Sequence, residues 1–498
     1  MPKFTFTKPY YNIAKLANEL ALEEAWNVYF EAIPSGGYAI RRRPALQLLN
    51  AADIVTQGRG IYWSDRNKSL YAVKSDGVYY KPGKDTGFIK IASLADFGLS
   101  AIFAEGQKID PAYPIIYIAN GGKLHYIDVK PANTLVTAKD GLGVDIVAVP
   151  TFVAAMNNMF YINDNRFDHN QDFWITDVNP AGNSDPLFWD SPTNPWRATQ
   201  KPDFITAIST GWNESFIWGG QACEPWQEDG VNPISPLMGS LMEIGLEAPY
   251  TLQKADNTWF LLANVAGKRC VIRVAGRSPK VISEPIANIL QSYSVVEDAI
   301  GSLCYVGGTN LYVLCFPTEN VTWVYDFKSD IWSQWSTWDK GFGINNMFKG
   351  MYCTFASEWN QHLCLTIDGS LYEFSRDAYQ DDTGEIIHSS VRTGWIDHGT
   401  WDRTRSDQLI IKLQGYLSPI GANQTPVKVT LRTRDDGRPE WSNPIEIEVQ
   451  QGSTGQNDHY CKLNRMGIYR SRQYEFTMTD ARDLALVGME EDVTRMRN

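Results

Sequence analysis

The chain has 498 residues, 43 % hydrophobic and 20 % charged, so a large core can form and disorder is excluded as its ground state. Acidic residues outnumber basic ones by 57 to 45, a formal charge of −12, which argues against a protein that grips nucleic acid by its phosphates. The 7 cysteines include no Cys-x-x-Cys pair, which predicts buried thiols and folding in a reducing cytoplasm.

At the N-terminus, Met1 to Lys8 lacks the apolar core of a signal peptide, and no run of about 18 apolar residues follows anywhere, so no membrane anchor is expected. Apolar residues at Ile13, Leu16, Ala17, Leu20, Ala21, Ala25 and Val28 follow Asn12 at i, i+3, i+4 spacing. That spacing predicts a short amphipathic helix with Asn12 as its N-cap. The dense basic run Arg41, Arg42, Arg43 reads as a solvated loop or a salt bridge between subunits.

From about residue 55 the pattern becomes strand-like. Apolar cores recur at Gly60–Trp63, Ile115–Ile118, Met159–Ile162, Ser215–Trp218, Trp259–Leu262, Leu311–Leu314 and His362–Leu365. Their second residues, 61, 116, 160, 216, 260, 312 and 363, are about 50 apart, a period that signals a β-propeller of six or seven blades. Cys304 and Cys315 repeat as Cys353 and Cys364 at the same spacing, which predicts equivalent inner hairpins with a small buried residue in each. The stretch from Asp164 to Lys201, rich in Asp, Asn and Pro, reads as a long insertion and lacks the glycine and ligand spacing of a calcium loop. Beyond Ser389, alternation in Val427, Val429, Leu431 and in Ile445, Ile447, Val449 predicts a small β-sandwich or strands that complete the propeller. The expected organisation is therefore a helical and extended lead over 1–50, a propeller over 51–388 with an insertion around 164–201, and a β-rich module over 389–498.

No catalytic, cofactor-binding or metal-binding residue stands out. There is no Gly-x-Ser-x-Gly, no phosphate-binding glycine loop and no paired-histidine grouping among His125, His169, His362, His388, His398 and His459. The acidic pairs Glu23-Glu24, Asp381-Asp382 and Asp435-Asp436 read as solvated turns. A second reading keeps a carbohydrate-binding or glycoside-hydrolysing propeller, with Trp189, Trp196, Trp212, Trp218 and Trp226 lining a cleft. Blade-core packing is the simpler role for those rings.

Several segments resemble a known family. Asn27-Val-Tyr-Phe-Glu31 is followed by Arg43-Pro-Ala-Leu46, with Ala45 where the family has glycine, and then by Gly58-Arg-Gly60 and Leu70-Tyr-Ala-Val73. Asp185-Pro-Leu-Phe-Trp189 leads through Pro202-Asp203 to Phe216-Ile-Trp-Gly219, Glu224-Pro-Trp226 and Gly230. Further along come Glu243 to Pro249, Ile282-Ser283, Phe316-Pro-Thr318, Thr322 to Asp326, Trp332, Asp435 to Trp441 and Arg472 to Asp480. In this order they resemble the tail hub, or nozzle, proteins of short-tailed phages, the packaged-DNA stabilisation proteins. The resemblance implies a non-enzymatic virion component assembled in the host cytoplasm. It implies a hexameric ring beneath the portal and adaptor that closes the DNA exit channel. Its implied partners are further copies of itself, the tail adaptor, the tail needle or plug, a tail fibre or tailspike, and double-stranded DNA in transit. An acidic channel wall is expected from the net charge, because like charge prevents sticking.

Overall fold

The computed structural model describes residues 3–7, 20–33, 37–51, 56–108, 113–130, 132–178, 184–189, 195–201, 203–228, 234–255, 257–339, 341, 343–382, 384–415, 427–449, 458–480 and 482–496. Strands dominate, and helix among these residues is limited to Ala287–Ser292 and three short 3-10 turns. The chain separates into two compact units. One is formed by Leu48–Leu303 with Gly350–Glu373, the other by Met1–Gln47, Cys304–Lys349 and Phe374–Asn498.

In the first unit the sheets are antiparallel meanders. One comprises Gly58–Ser64, Ser69–Lys74, Gly77–Lys81 and Ile89–Ala92, and the next Ile102–Lys108, Tyr113–Ala119, His125–Asp128 and Thr134–Thr137. A third runs through Val153–Met156, Met159–Asn163, Asp172–Val178 and Ser184–Trp189, with Trp196–Arg197 paired to Asp172–Val178. A fourth holds Ile205–Gly211, Glu214–Gly219, Cys223–Gln227 and Ser235–Pro236, and a fifth is built on Thr258–Val265 and Lys268–Ala275. A further sheet, Gly350–Ala356, Gln361–Thr366 and Leu371–Ser375, takes its fourth strand, Ala45–Asn50, from near the start of the chain.

Neighbouring sheets pack apolar face to apolar face. Tyr71 and Val73 meet Ile116 and Ile118; Tyr117 meets Phe160; Tyr161 and Ile175 meet Ile208 and Ile217; Trp218 meets Leu261. Leu363 and Leu371 pack back against Trp63 and Leu70 of the first sheet. Face-packed meanders whose last sheet returns to the first form a β-propeller. Tight turns hold the hairpins. Asn157-Asn158 and Trp212-Asn213 have φ of 50° and 65°, and 52° and 63°, the primed geometry that matches strand twist.

Three expectations change in detail. The marker at 61 lies on a first strand, whereas 116, 160 and 216 lie on second strands, so the long first step measures a change of strand rather than a longer repeat. The stretch 164–201, expected as an insertion, supplies Asp172–Val178, Ser184–Trp189 and Trp196–Arg197, which are ladder strands of the third sheet; residues 179–183 and 190–194 lie outside the described residues. The two cysteine hairpins also differ. One turns through Gly307-Gly308 alone, the other through residues 357–360, so equal spacing does not mean equal register.

The second unit contains a β-sandwich. One sheet orders Val28–Ala32, Tyr38–Arg42, Ala485–Arg495, Thr404–Gln414 and Asp458–Tyr469. The other orders Ile445–Val449, Val427–Asp435, Arg472–Met478, Ser389–Thr393 and Leu20–Trp26, then continues through Ile331–Gln334. Between them lie Leu22, Val28, Phe30, Leu409, Ile411, Val429, Leu431, Phe476 and Leu486.

The helix expected after Asn12 is therefore corrected. Residues 20–26 and 28–32 are strands, while residues 8–19 lie outside the described residues. The cause is visible in the register. A bulge between Leu22 and Glu24 adds one residue, and Asn27 at φ 53° breaks the strand, so Leu22, Ala25 and Val28 all face the core three apart. That spacing imitates a helix.

The basic run is corrected as well. Arg41 pairs with Glu31 and, at 2.9 Å, with Asp483. Arg42 is buried and donates to Tyr379 O at 3.0 Å; burial pushes its guanidinium down to about 10. Arg43 is 2 % exposed and grips Asp381 with both terminal nitrogens. Its Nη2 also donates to Ser336 O at 2.9 Å and its Nε to Asn27 Oδ1 at 3.1 Å. Asn27 Nδ2 donates to Ser336 Oγ at 2.7 Å and His388 O at 2.8 Å.

A second buried cluster lies in the sandwich. Tyr469 and Tyr474 each donate to Glu491 Oε1 at 2.8 Å, and His398 Nε2 lies 2.7 Å from the Tyr469 hydroxyl. Burial alone raises the Glu491 carboxyl, but hydrogen bonds from His398, Tyr469 and Tyr474 outweigh it and hold the group below the usual glutamate range.

Arg43→Ala leaves the buried Asp381 charge unpaired and is expected to cost about 3–5 kcal/mol of the stability of this unit. Urea denaturation checks it, and a loss below about 1 kcal/mol would contradict the account. Because the Glu491 carboxyl is depressed in the folded state, its contribution is complete above the usual glutamate range and is lost as pH falls through the folded value. Glu491→Gln should therefore lower the melting temperature at about pH 7 by more than at about pH 3; an equal loss at both would contradict the assignment.

Candidate functional site

The first strands of the propeller sheets converge on its axis. Tyr62 stacks on Phe103 with ring centroids 5.7 Å apart, and Phe152 on Tyr250 at 5.5 Å. Ser100 Oγ and Tyr352 OH lie 2.9 Å apart, and Ser302 Oγ donates to Met351 O at 2.6 Å. The strands approach so closely that a Cβ on Gly60 would sit 2.6 Å from Ala101 O. A cavity of about 250 Å³ remains, lined by these rings and by residues 300–302. It has room for about eight water molecules at ~30 Å³ each. Burial raises the hydroxyls of Tyr62 and Tyr250 far above their ordinary range, so both stay neutral and neither is poised as a base.

The tryptophans proposed for a sugar cleft do not share one. Trp189 and Trp218 are buried and donate to Tyr117 OH at 3.1 Å and Ser209 Oγ at 2.7 Å. Trp226 is buried edge-on between Phe173 and Trp196. Trp212 sits on a hairpin turn against Phe216 and Trp259. These rings are blade core and turn packing.

The acidic pairs are engaged and not merely solvated. Glu23 accepts from Gln473 and Glu24 pairs with Arg392 at 2.6 Å. Asp381 holds Arg43, Asp435 holds Arg472 at 2.6 Å, and Asp436 accepts from the backbone N–H of Arg470 at 2.7 Å. Of the histidines, His169 lies 2.8 Å from Asp172, His388 stacks on Trp338, and burial lowers His362 to about 4. Among the described residues no three His, Cys, Asp or Glu side chains gather around a common metal position. None of the cysteines is in a disulfide, and burial pushes the Cys315 thiol up to about 12, which makes it inert.

One feature of the propeller escaped the sequence reading. An open groove of about 510 Å³ is lined by Arg66, Glu105, Gln107, Lys108, Asn157 and Asn158, together with Gly106, Ala155 and Met156. It contains one carboxylate, whereas glycoside hydrolysis needs two facing each other. Glu105 carries no local motif, since Gly106, Gln107 and Lys108 follow it on its own strand but Arg66 and Ala155 to Asn158 come from other segments.

A family model described as "Bacteriophage P22 Gp10, beta-propeller" matches residues 26–377. No curated protein matches the chain. Solved structures with similar folds include the extracellular domain of a hybrid two-component system from B. thetaiotaomicron, at 8 % identity and TM-score 0.41 over 68 % of this chain and 40 % of that one. A one-component counterpart from the same organism gives 11 % identity and TM-score 0.42 over 91 % of this chain and 64 % of that one. The WD40 β-propeller domain of Doa1 gives 11 % identity and TM-score 0.37 over 66 % of this chain and 97 % of that one. The chain thus spans less than two thirds of the first two, and at these scores the likenesses carry no argument. The family match covers most of the chain and names the same fold as the one described above: the protein belongs to the phage-stabilisation family of the bacteriophage P22 Gp10 β-propeller, a family of phage structural tail proteins.

Proposed function

We propose that the protein is the nozzle, or hub, of a short-tailed phage tail. In this reading six copies form a ring beneath the portal and adaptor, close the DNA exit channel, retain the packaged DNA and pass it on at ejection. The part is mechanical and not catalytic. Membership of the phage-stabilisation family carries the reading.

Two physical features support it. The aromatic-lined axial cavity of about 250 Å³ is far too small for a duplex, whose major groove alone is about 12 Å wide, so DNA must pass between copies and not through one. The net charge of −12 suits a wall that touches DNA transiently and non-specifically, since like charge repels the phosphates. Around such a ring the adaptor sits above, the needle or plug below, and fibres or tailspikes at the side. Assembly takes place in the host cytoplasm and the product resides in the virion tail.

The reading is tested with phage whose copy of this gene is interrupted. Heads should fill and then leak, leaving DNA open to nuclease, and adding the purified protein should restore nuclease resistance. Particles that keep their DNA and infect without the protein would overturn it.

A further inference from the structure

The last sheet of the propeller carries two cysteines that face each other across a hairpin. Gly350–Ala356 and Gln361–Thr366 are antiparallel, and their register sets Cys353 directly opposite Cys364. Opposed residues of an antiparallel pair place their side chains on one face. The next pair on that face, Phe355 and His362, shows such a contact, with ring centroids 4.7 Å apart.

Hydrogen bonds fix the kind of pair. Cys353 N–H donates to Ser302 Oγ at 3.2 Å, and Ser302 Oγ donates to Met351 O at 2.6 Å. Both backbone groups are thus engaged away from Gln361–Thr366. Cys353 and Cys364 therefore form a non-hydrogen-bonded pair, the closer of the two antiparallel types, with Cα atoms about 4.5 Å apart. A disulfide spans Cα separations of about 4.4–6.8 Å, so a bond between the two sulfurs fits the sheet as it stands. Cys304 and Cys315 repeat the sequence spacing but not this geometry. They lie at unequal distances from the Gly307-Gly308 turn, so they are not opposite each other, and both are buried.

Access is graded within the pair. Cys353 is half-buried and lies in the wall of the axial cavity, whereas Cys364 is fully buried. A small oxidant that enters the cavity meets Cys353 first, and Cys364 is placed to react with what forms there.

We infer that Cys353 and Cys364 are a redox modification site, a reversible cross-strand disulfide made by hydrogen peroxide. The Cys353 thiolate attacks one peroxide oxygen, the O–O bond breaks and hydroxide leaves, giving a sulfenic acid. Cys364 Sγ then attacks Cys353 Sγ, the S–O bond breaks and a second hydroxide leaves. The two thiol protons join the two hydroxides, so two thiols and one peroxide give one disulfide and two waters. The sulfurs are oxidised and the peroxide oxygens reduced. A dithiol reverses the bond by exchange. The bond staples the hairpin whose Leu363 packs against Trp63 and Leu70 of the first sheet, where the propeller closes.

The test is peptide mapping by mass spectrometry on the full chain, reduced, then treated with hydrogen peroxide while folded. Remaining thiols are blocked with N-ethylmaleimide in denaturant, and chymotrypsin cuts between the two cysteines at Phe355 and Trp359. The expected product is a peptide pair linked through Cys353 and Cys364, lost on adding dithiothreitol, with Cys304 and Cys315 still alkylated. In Cys364→Ala the sulfenic acid has no partner, so the link is lost and dimedone should label Cys353. Both thiols still alkylated after peroxide, a link that joins other cysteines, or a link that forms only in unfolding urea would each overturn the inference. The unsubstituted chain decides among these outcomes, so the test stands even if Cys364→Ala fails to fold. None of these results bears on DNA retention.

Discussion

The sandwich unit is organised around one buried charge pair. Arg43 and Asp381 are both nearly inaccessible, and removing two such charges from water costs several kcal/mol each before any attraction is counted. The cost is offset because every donor of the guanidinium has a target: two oxygens of Asp381, the carbonyls of Pro44 and Ser336, and the amide oxygen of Asn27. Those targets come from segments more than 300 residues apart in the chain. The Asn27 backbone, turned to φ 53°, then fixes where one strand ends and the next begins, receiving Ser389 Oγ at 3.0 Å and donating to Gln334 O at 2.7 Å. The N-terminal strands are therefore committed to the same core as the C-terminal ones, and Trp335 seals the join by donating to Val28 O at 3.0 Å.

Much of the propeller was legible in the sequence because its signal is periodic. Strands such as Tyr113–Ala119 and Met159–Asn163 are buried on both faces, since each is sandwiched between sheets, and their recurrence marks the repeat. The errors arose where long-range pairing overrode local pattern. The bulge beside Glu24 made a strand look helical. The turn-rich composition after Asp164 hid strands whose partners lie in the same sheet. Arg43 and Asp381 looked solvated because nothing in their neighbours announces a partner about 340 residues away. Glu105 and Glu491 were invisible for the same reason, being single carboxylates whose environments are assembled only by folding.

The functional picture follows from what is filled. The propeller axis is packed with aromatic rings, Trp189, Trp218 and Trp226 are core, and the buried Arg43 and Asp381 are consumed by each other. A body of this kind resists deformation, which suits the mechanical role proposed for it.

The central claim is that DNA is closed off and later released between copies of this chain, never through the propeller. Electron cryomicroscopy of the intact tail tests it most directly. The account predicts six copies around a common lumen, with DNA density or plug density confined to that lumen and the propeller axes closed. A single copy in the particle, or DNA density running along a propeller axis, would contradict it.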